Sequence, residues 1–225
     1  MAADQPMIPS QPLSAAQRAT AIRSGIRLEI ISVIWMVIES VLAIGAGLLA
    51  RSVVLTAFGF DSVIELLSAI VLLWRLSVEA HAGTLDRVEQ AERRSVWVSG
   101  VLLVLLCFYV VATTAFGLLT HSKPEQSVVG IAVALIAVVV MPLLARAKRR
   151  VAERMGSMAL RADAVETITC AYMAAAALLG LGLNALLGWW WADYVTALAL
   201  LYWLVGETRE VLAAAREGRR GCDDD

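Results

Sequence analysis

The sequence predicts an all-α membrane protein of six transmembrane helices with both termini in the cytoplasm, and three observations carry that expectation. The chain has 225 residues, 60% of them hydrophobic and only 17% charged, with a mean hydropathy of +0.74. A soluble domain of this size needs a larger polar surface than that. Six apolar stretches lie at 29–50, 53–76, 96–119, 127–145, 157–187 and 189–206, each near the ~20 residues that cross a bilayer as a helix. Lysine and arginine gather in alternate connections between them.

Taken in order, residues 1–17 (MAADQPMIPSQPLSAAQ) hold Pro6, Pro9 and Pro12 and no apolar run, which predicts a disordered tail. No short apolar core follows a basic start, so a cleaved signal peptide is not expected. The six-helix membrane unit is residues 18–212. Span 1 contains Glu39 and the small-residue stretch AIGAG, Ala43 to Gly47, which permits close helix packing. Span 2 contains Asp61 and Glu65. The connection that follows, SVEAHAGTLDRVEQAERRS, mixes both signs of charge and is expected to prolong a helix into the cytosol. Span 3 is uninterrupted. Span 4 carries Pro142 near its inner end, which should kink or terminate it. Span 5 carries Asp163, Glu166 and Cys170. Trp189, Trp190 and Trp191 open span 6, where indoles sit at the headgroup level. Residues 213–225 form a short charged tail ending REGRRGCDDD.

Orientation follows from the basic residues. Arg18, Arg23 and Arg27 precede span 1, and Arg75, Arg87, Arg93 and Arg94 border spans 2 and 3. Arg146, Lys148, Arg149, Arg150, Arg154 and Arg161 flank the junction of spans 4 and 5; Arg209, Arg216, Arg219 and Arg220 follow span 6. The alternate loops hold only Arg51 and Lys123. The positive-inside rule then puts both termini and the loops between spans 2 and 3 and spans 4 and 5 in the cytoplasm; the plasma (inner) membrane is the expected location. Topology and anionic lipid account for these basic loops without nucleic acid.

Two segments repeat one pattern. Ser52 to Glu65 reads SVVLTAFGFDSVIE, and Ser157 to Cys170 reads SMALRADAVETITC. Leu55 matches Leu160, Ala57 matches Ala162, Asp61 matches Glu166, and Glu65 matches Cys170. Within each copy the last two positions are spaced i, i+4 and share a helix face. At 1.5 Å per residue, Asp61 and Glu65 lie about 12 and 18 Å from the outer edge, and Glu166 and Cys170 about 13 and 19 Å from the inner edge. In a hydrocarbon layer about 30 Å thick, both pairs approach the midplane.

A charge at bilayer centre costs about 2.5–3.5 kcal/mol on insertion scales, and three neighbouring carboxylates repel one another. No lysine, arginine or histidine falls at matching depth in these spans, leaving protons or a metal cation as compensation. Asp61, Glu65, Glu166 and Cys170 supply carboxylate oxygens and one sulfur, a donor set for a divalent transition metal, with the sulfur favouring zinc or cadmium over magnesium or calcium. Asp163, one turn nearer the cytoplasm, is either an entrance to this site or an interfacial residue beside Arg161. Glu39 is either a supporting or proton-relay group, or a partner for a polar residue of a neighbouring helix. Asp193 reads as an exposed interfacial aspartate or a guard at the exit. His81 and His121 fall near loops, Cys107 reads as core, and the three cysteines give no disulfide framework.

These residues carry a family resemblance. Gly47 to Leu76, GLLARSVVLTAFGFDSVIELLSAIVLLWRL, resembles the first two spans of the cation diffusion facilitator (cation efflux) family, whose second span carries a His/Asp-x-x-x-Asp metal pair. SMALRADAVETITC, followed by GWWWADYVTALALLYWL from Gly188 to Leu204, is similar to its fifth and sixth spans. The resemblance implies a cation-efflux-type bundle. It places Asp61 and Glu65, and Glu166 and Cys170, in the two metal pairs. It implies export of a divalent metal, zinc or a similar ion, from the cytoplasm in exchange for protons, and a homodimer formed through the spans. The family usually has histidine in the site and aspartate at its last position. Here protons would have to ride on carboxylates. Typical members continue into a cytosolic metal-binding domain, whereas this chain reads as the membrane domain only.

The sequence offers no phosphate loop, Ser/His/Asp arrangement or zinc-protease motif, so no enzyme and no resident cofactor are expected. A non-transporting scaffold or accessory subunit with an intramembrane metal or proton site is the alternative, but it leaves the matched acids unexplained.

Overall fold

The structure, a computed structural model, describes residues 15–81 and 86–223, and among these the regular elements are six helices. They are α1 (Ala15–Ala50), α2 (Val53–Ala80), α3 (Asp86–Leu119), α4 (Val128–Met155), α5 (Met158–Leu187) and α6 (Ala192–Asp223). Residues 1–14 of the expected tail lie outside the described residues, as do 82–85 of the connection after span 2. α1 is already under way at Ala15, while α2 and α3 extend past their apolar stretches as expected. The helix α6 crosses the expected boundary at 212 without a break.

Short turns join the helices because the ends are built for them. Arg51 (φ 54°), Gly156 (φ 66°) and Gly188 (φ 67°) take left-handed conformations directly after α1, α4 and α5. That conformation turns the next N–H back onto the last carbonyls, as the Ser52 N–H does to Gly47 O at 2.9 Å and the Ser157 N–H to Ala152 O at 3.1 Å. The serines that open the two sequence repeats are N-caps. Ser52 Oγ accepts from the Leu55 N–H at 3.2 Å, and Ser157 Oγ from the Leu160 N–H at 3.3 Å. The repeat thus encodes a helix start and, nine residues on, an acid.

Pro142 does not end span 4. α4 runs on to Met155, ten residues past the expected stop, because packing against α1 and α5 holds the segment helical despite the lost hydrogen bond.

The outer faces are what lipid requires. Ile30, Ile34, Val37, Val41 and Leu48 of α1, and Leu105, Phe108 and Phe116 of α3, are exposed apolar side chains, and in water such a surface would aggregate. Among the described residues, five helices are long and apolar enough to cross a membrane. α6 falls short by composition because Asp193, Glu207, Arg209 and Glu210 interrupt it; Asp193 is buried and Glu207 half-buried, while Glu210 is exposed.

α2 lies at the centre, touching α1, α3, α5 and α6. Of its apolar stretch 67% is buried, against 28% for the peripheral α3. Glycines set how closely α1 lies on α2. A Cβ on Gly59 would stand 2.7 Å from Ile44 Cγ1 and 2.8 Å from Ile44 N, and one on Gly47 2.7 Å from Thr56 N. Both are closer than any real contact, so the AIGAG stretch is used as a backbone-to-backbone seam. One turn beyond that seam, the side chains of Glu39 and Ser62 meet.

Candidate functional site

The repeats deliver their acids to the centre of the bundle. Asp61 is 1% exposed and Glu65 5%, and all four of their carboxylate oxygens lack a hydrogen-bond partner. Cys170, on α5, is fully buried and has Glu65, Glu39 and Asp61 as its charged neighbours. Those of Asp61 are Glu207, Glu166 and Glu39. Glu166 is half-buried and faces a cavity. The four expected ligands are therefore neighbours on α2 and α5. In this conformation they do not form a closed cage: among the described residues, no three His, Cys, Asp or Glu side chains are gathered tightly enough to hold one metal ion.

Glu39 enters this centre from α1. It is 0% exposed, and its Oε1 accepts from Ser62 Oγ at 2.8 Å and from the Cys170 thiol at 3.6 Å, while Oε2 has no partner. The neighbour-helix partner expected for Glu39 is thus Ser62, and the same oxygen also faces an expected ligand.

A cavity of ≈ 1200 Å³ between α2, α5 and α6 reaches Glu166, while Asp61, Glu65 and Cys170 lie behind its wall. Asp163, Glu166 and Glu207 line it, with Arg75, Arg209 and Glu210 around them. Glu207 was not singled out from sequence. It lies one residue past the span 6 stretch and two before Arg209, where an acid reads as an interfacial charge, and only the approach of α6 to α2 makes it a neighbour of Asp61.

At the basic end one expectation is corrected. Lys148, read as part of the solvated basic flank, is 1% exposed; its Nζ lies 2.6 Å from Asp163 Oδ2 and 3.2 Å from Glu29 Oε1, and donates to Thr167 Oγ1 at 3.3 Å. Asp163 therefore pairs with Lys148 and not with Arg161. The continuation of α4 past Pro142 is the reason, since it carries Lys148 alongside α1 and α5. A cation does stand one turn from Glu166, contrary to the absence inferred from the span limits.

The opposite end is sealed. Asp193, expected to be exposed, is fully buried and accepts from Ser52 Oγ and from the Val53 and Val54 N–H groups at 2.8 and 3.4 Å. A carboxylate is favourable there because the first N–H groups of α2 have no partner inside the helix. Tyr194 Oη donates to Ser122 O at 2.8 Å and Asn184 Nδ2 to Pro124 O at 3.0 Å, while the Glu125 N–H bonds Ala50 O at 2.7 Å. Trp189 and Trp191 stack at the rim, with ring centroids 5.2 Å apart.

A lipid-facing helical bundle, closed at one end, open by a cavity at the other and holding unpartnered acids at its centre, is an integral multi-pass membrane protein built around a cation-attracting core. Residues 30–217 match the cation efflux transmembrane domain, and the chain belongs to that family. It is similar to a protein of Synechocystis named as an uncharacterized transporter, with 28% identity over 162 residues, covering 71% of this chain and 52% of that protein. The chain thus spans about half the length of that relative.

Proposed function

We propose that this chain is the membrane unit of a divalent transition-metal transporter, carrying zinc or a similar ion out of the cytoplasm in exchange for protons. The observation that carries the reading is the pair Asp61 and Glu65, whose four buried, unpartnered oxygens lie next to a cavity lined by Glu166. Leaving such groups without partners is expensive unless a cation or protons complete them.

In this reading the cavity opens to the cytoplasm, because its rim carries the basic residues that the positive-inside rule assigns there. Glu166 and Glu207 draw the ion in electrostatically, while Asp163 at the entrance is held by Lys148. Asp61, Glu65, Glu166 and Cys170 then take it by closing together, as the gap between α2 and α5 narrows. Exposure to the other side requires the Asp193 seal to part while the cavity shuts, an alternation about a fixed central site. Ligands must be deprotonated to hold metal, so ion release and proton uptake are linked.

The test is uptake by proteoliposomes of purified protein under an imposed pH gradient, with zinc, cadmium, cobalt, iron(II) and manganese. Flux that collapses in Asp61→Asn and Glu166→Gln supports the reading. Variants that move metal as well as the parent chain would sink the proposed site, and folded protein that moves no ion would favour a scaffold.

A further inference from the structure

The two sequence repeats supply ligands from α2 and α5, but a carboxylate from a third helix lies among them. Glu39 is fully buried at the level of Ser62, between the two acids of α2. One of its oxygens is held by Ser62 Oγ and the Cys170 thiol, and the other has no partner. Around it Asp61 and Glu65, each at least nine-tenths buried, also have unpartnered oxygens. A purely structural carboxylate would be fully satisfied, since each unmade hydrogen bond of a buried charged group costs more than ~1–3 kcal/mol. Glu39 instead has one oxygen held by hydrogen bonds and one without, with the Trp35 indole N–H, also unpartnered, beside it, and it is a charged neighbour of Asp61, Glu65 and Cys170. The Gly47 and Gly59 seam fixes α1 against α2 one turn away, so the placement of Glu39 is set by backbone contact.

We propose that Glu39 is a cation ligand contributed by α1, a fifth side chain of the ion site, and that it biases the site toward carboxylate-binding divalent ions. The inference rests on the transport reading above and deepens it. With Glu39 the donor set is four carboxylates and one sulfur, and without it three and one. Oxygen-rich sets suit manganese, while sulfur suits zinc and cadmium. Glu39 therefore offsets the softness that Cys170 contributes.

The experiment is calorimetric titration of the purified full chain in lipid nanodiscs with manganese(II), zinc and cadmium, for the parent, Asp61→Asn, Glu39→Gln and Ser62→Ala. Glutamine keeps the shape of Glu39 and an oxygen that accepts from Ser62 and Cys170, removing only the charge and one donor oxygen. Partners one step away from a metal alter its affinity by about 10–100-fold, so Glu39→Gln, which removes a ligand itself, is expected to weaken manganese binding by more than about 100-fold and cadmium binding by less. Ser62→Ala, which removes the hydrogen bond one step away and leaves the carboxylate, should cost no more than about 10-fold. Equal binding by the parent and Glu39→Gln, with binding lost in Asp61→Asn, overturns the inference and leaves the transport reading standing. Loss of the same size in Glu39→Gln and Ser62→Ala also overturns it, because that pattern belongs to a hydrogen-bonding scaffold. A parent that binds no ion, or Asp61→Asn binding as well as the parent, overturns both.

Discussion

Lys148 Nζ and Asp163 Oδ2 lie 2.6 Å apart with both residues buried, and Glu29 completes the group from α1. Three helices, α1, α4 and α5, are thereby joined on the cytoplasmic side of Glu166 by one cation and two acids. Removing the cation alone leaves two buried carboxyl groups with no counter-charge. Lys148→Met is expected to destabilise the protein by about 3–5 kcal/mol, and adding Glu29→Gln and Asp163→Asn to it should recover most of that loss. Thermal unfolding in detergent, followed by tryptophan fluorescence, checks both; a single variant as stable as the parent would contradict the ion-pair account.

The seal at the other end depends on Asp193. Asp193→Ala removes the acceptor for Ser52 and for two N–H groups of α2, and a cap of this kind is worth about 0.5–2 kcal/mol. Asn keeps an acceptor oxygen and should lose less. In hydrogen exchange, the first turn of α2 should lose protection in Asp193→Ala, with the α4 start, capped separately by Ser127, unchanged.

Two glycines in one stretch should behave oppositely. Gly47→Ala drives a methyl group into the Thr56 backbone, whereas a Cβ at Gly45 meets nothing within 4 Å. The first should cost about 1–3 kcal/mol. The second should be neutral or slightly stabilising, since alanine is the better helix former. Comparable melting temperatures for the two would contradict the close α1–α2 seam.

The cavity predicts a sidedness of chemical access. Ala162 is exposed and lines it, while Thr56 is buried beneath the sealed end. In a background with Cys107 and Cys222 replaced by serine, Ala162→Cys should react with a membrane-impermeant thiol reagent added on the cytoplasmic face, and Thr56→Cys with reagent from neither face. Labelling of Ala162→Cys only from the opposite face would invert the proposed orientation.

Much of this was legible in the chain. The helix limits at Ala50, Val53, Leu119 and Leu187 follow from where apolar runs meet Arg51, the Ser122–Gln126 loop and Gly188, because local turn chemistry acts over a few residues. The repeat placed Asp61, Glu65, Glu166 and Cys170 on matching faces of two helices, since helical periodicity alone decides which side chains share a face. Glu39 was visible as an acid out of place in an apolar span.

What sequence could not supply was which charges are solvated. Lys148 and Asp193 read as flanking charges because they lie at the ends of apolar runs, and both are buried, because α4 continues past Pro142 and α6 leans its first turn onto α2. Glu207 became a neighbour of Asp61 because α6 also packs against α2 beyond that first turn. Composition, periodicity and turn residues are local properties, and they fixed an all-helical membrane chain with acids at its centre. Which acid meets a cation, a helix end or open space depends on contacts between different helices, some of them between residues more than a hundred positions apart, and only the packing of the helices determines those.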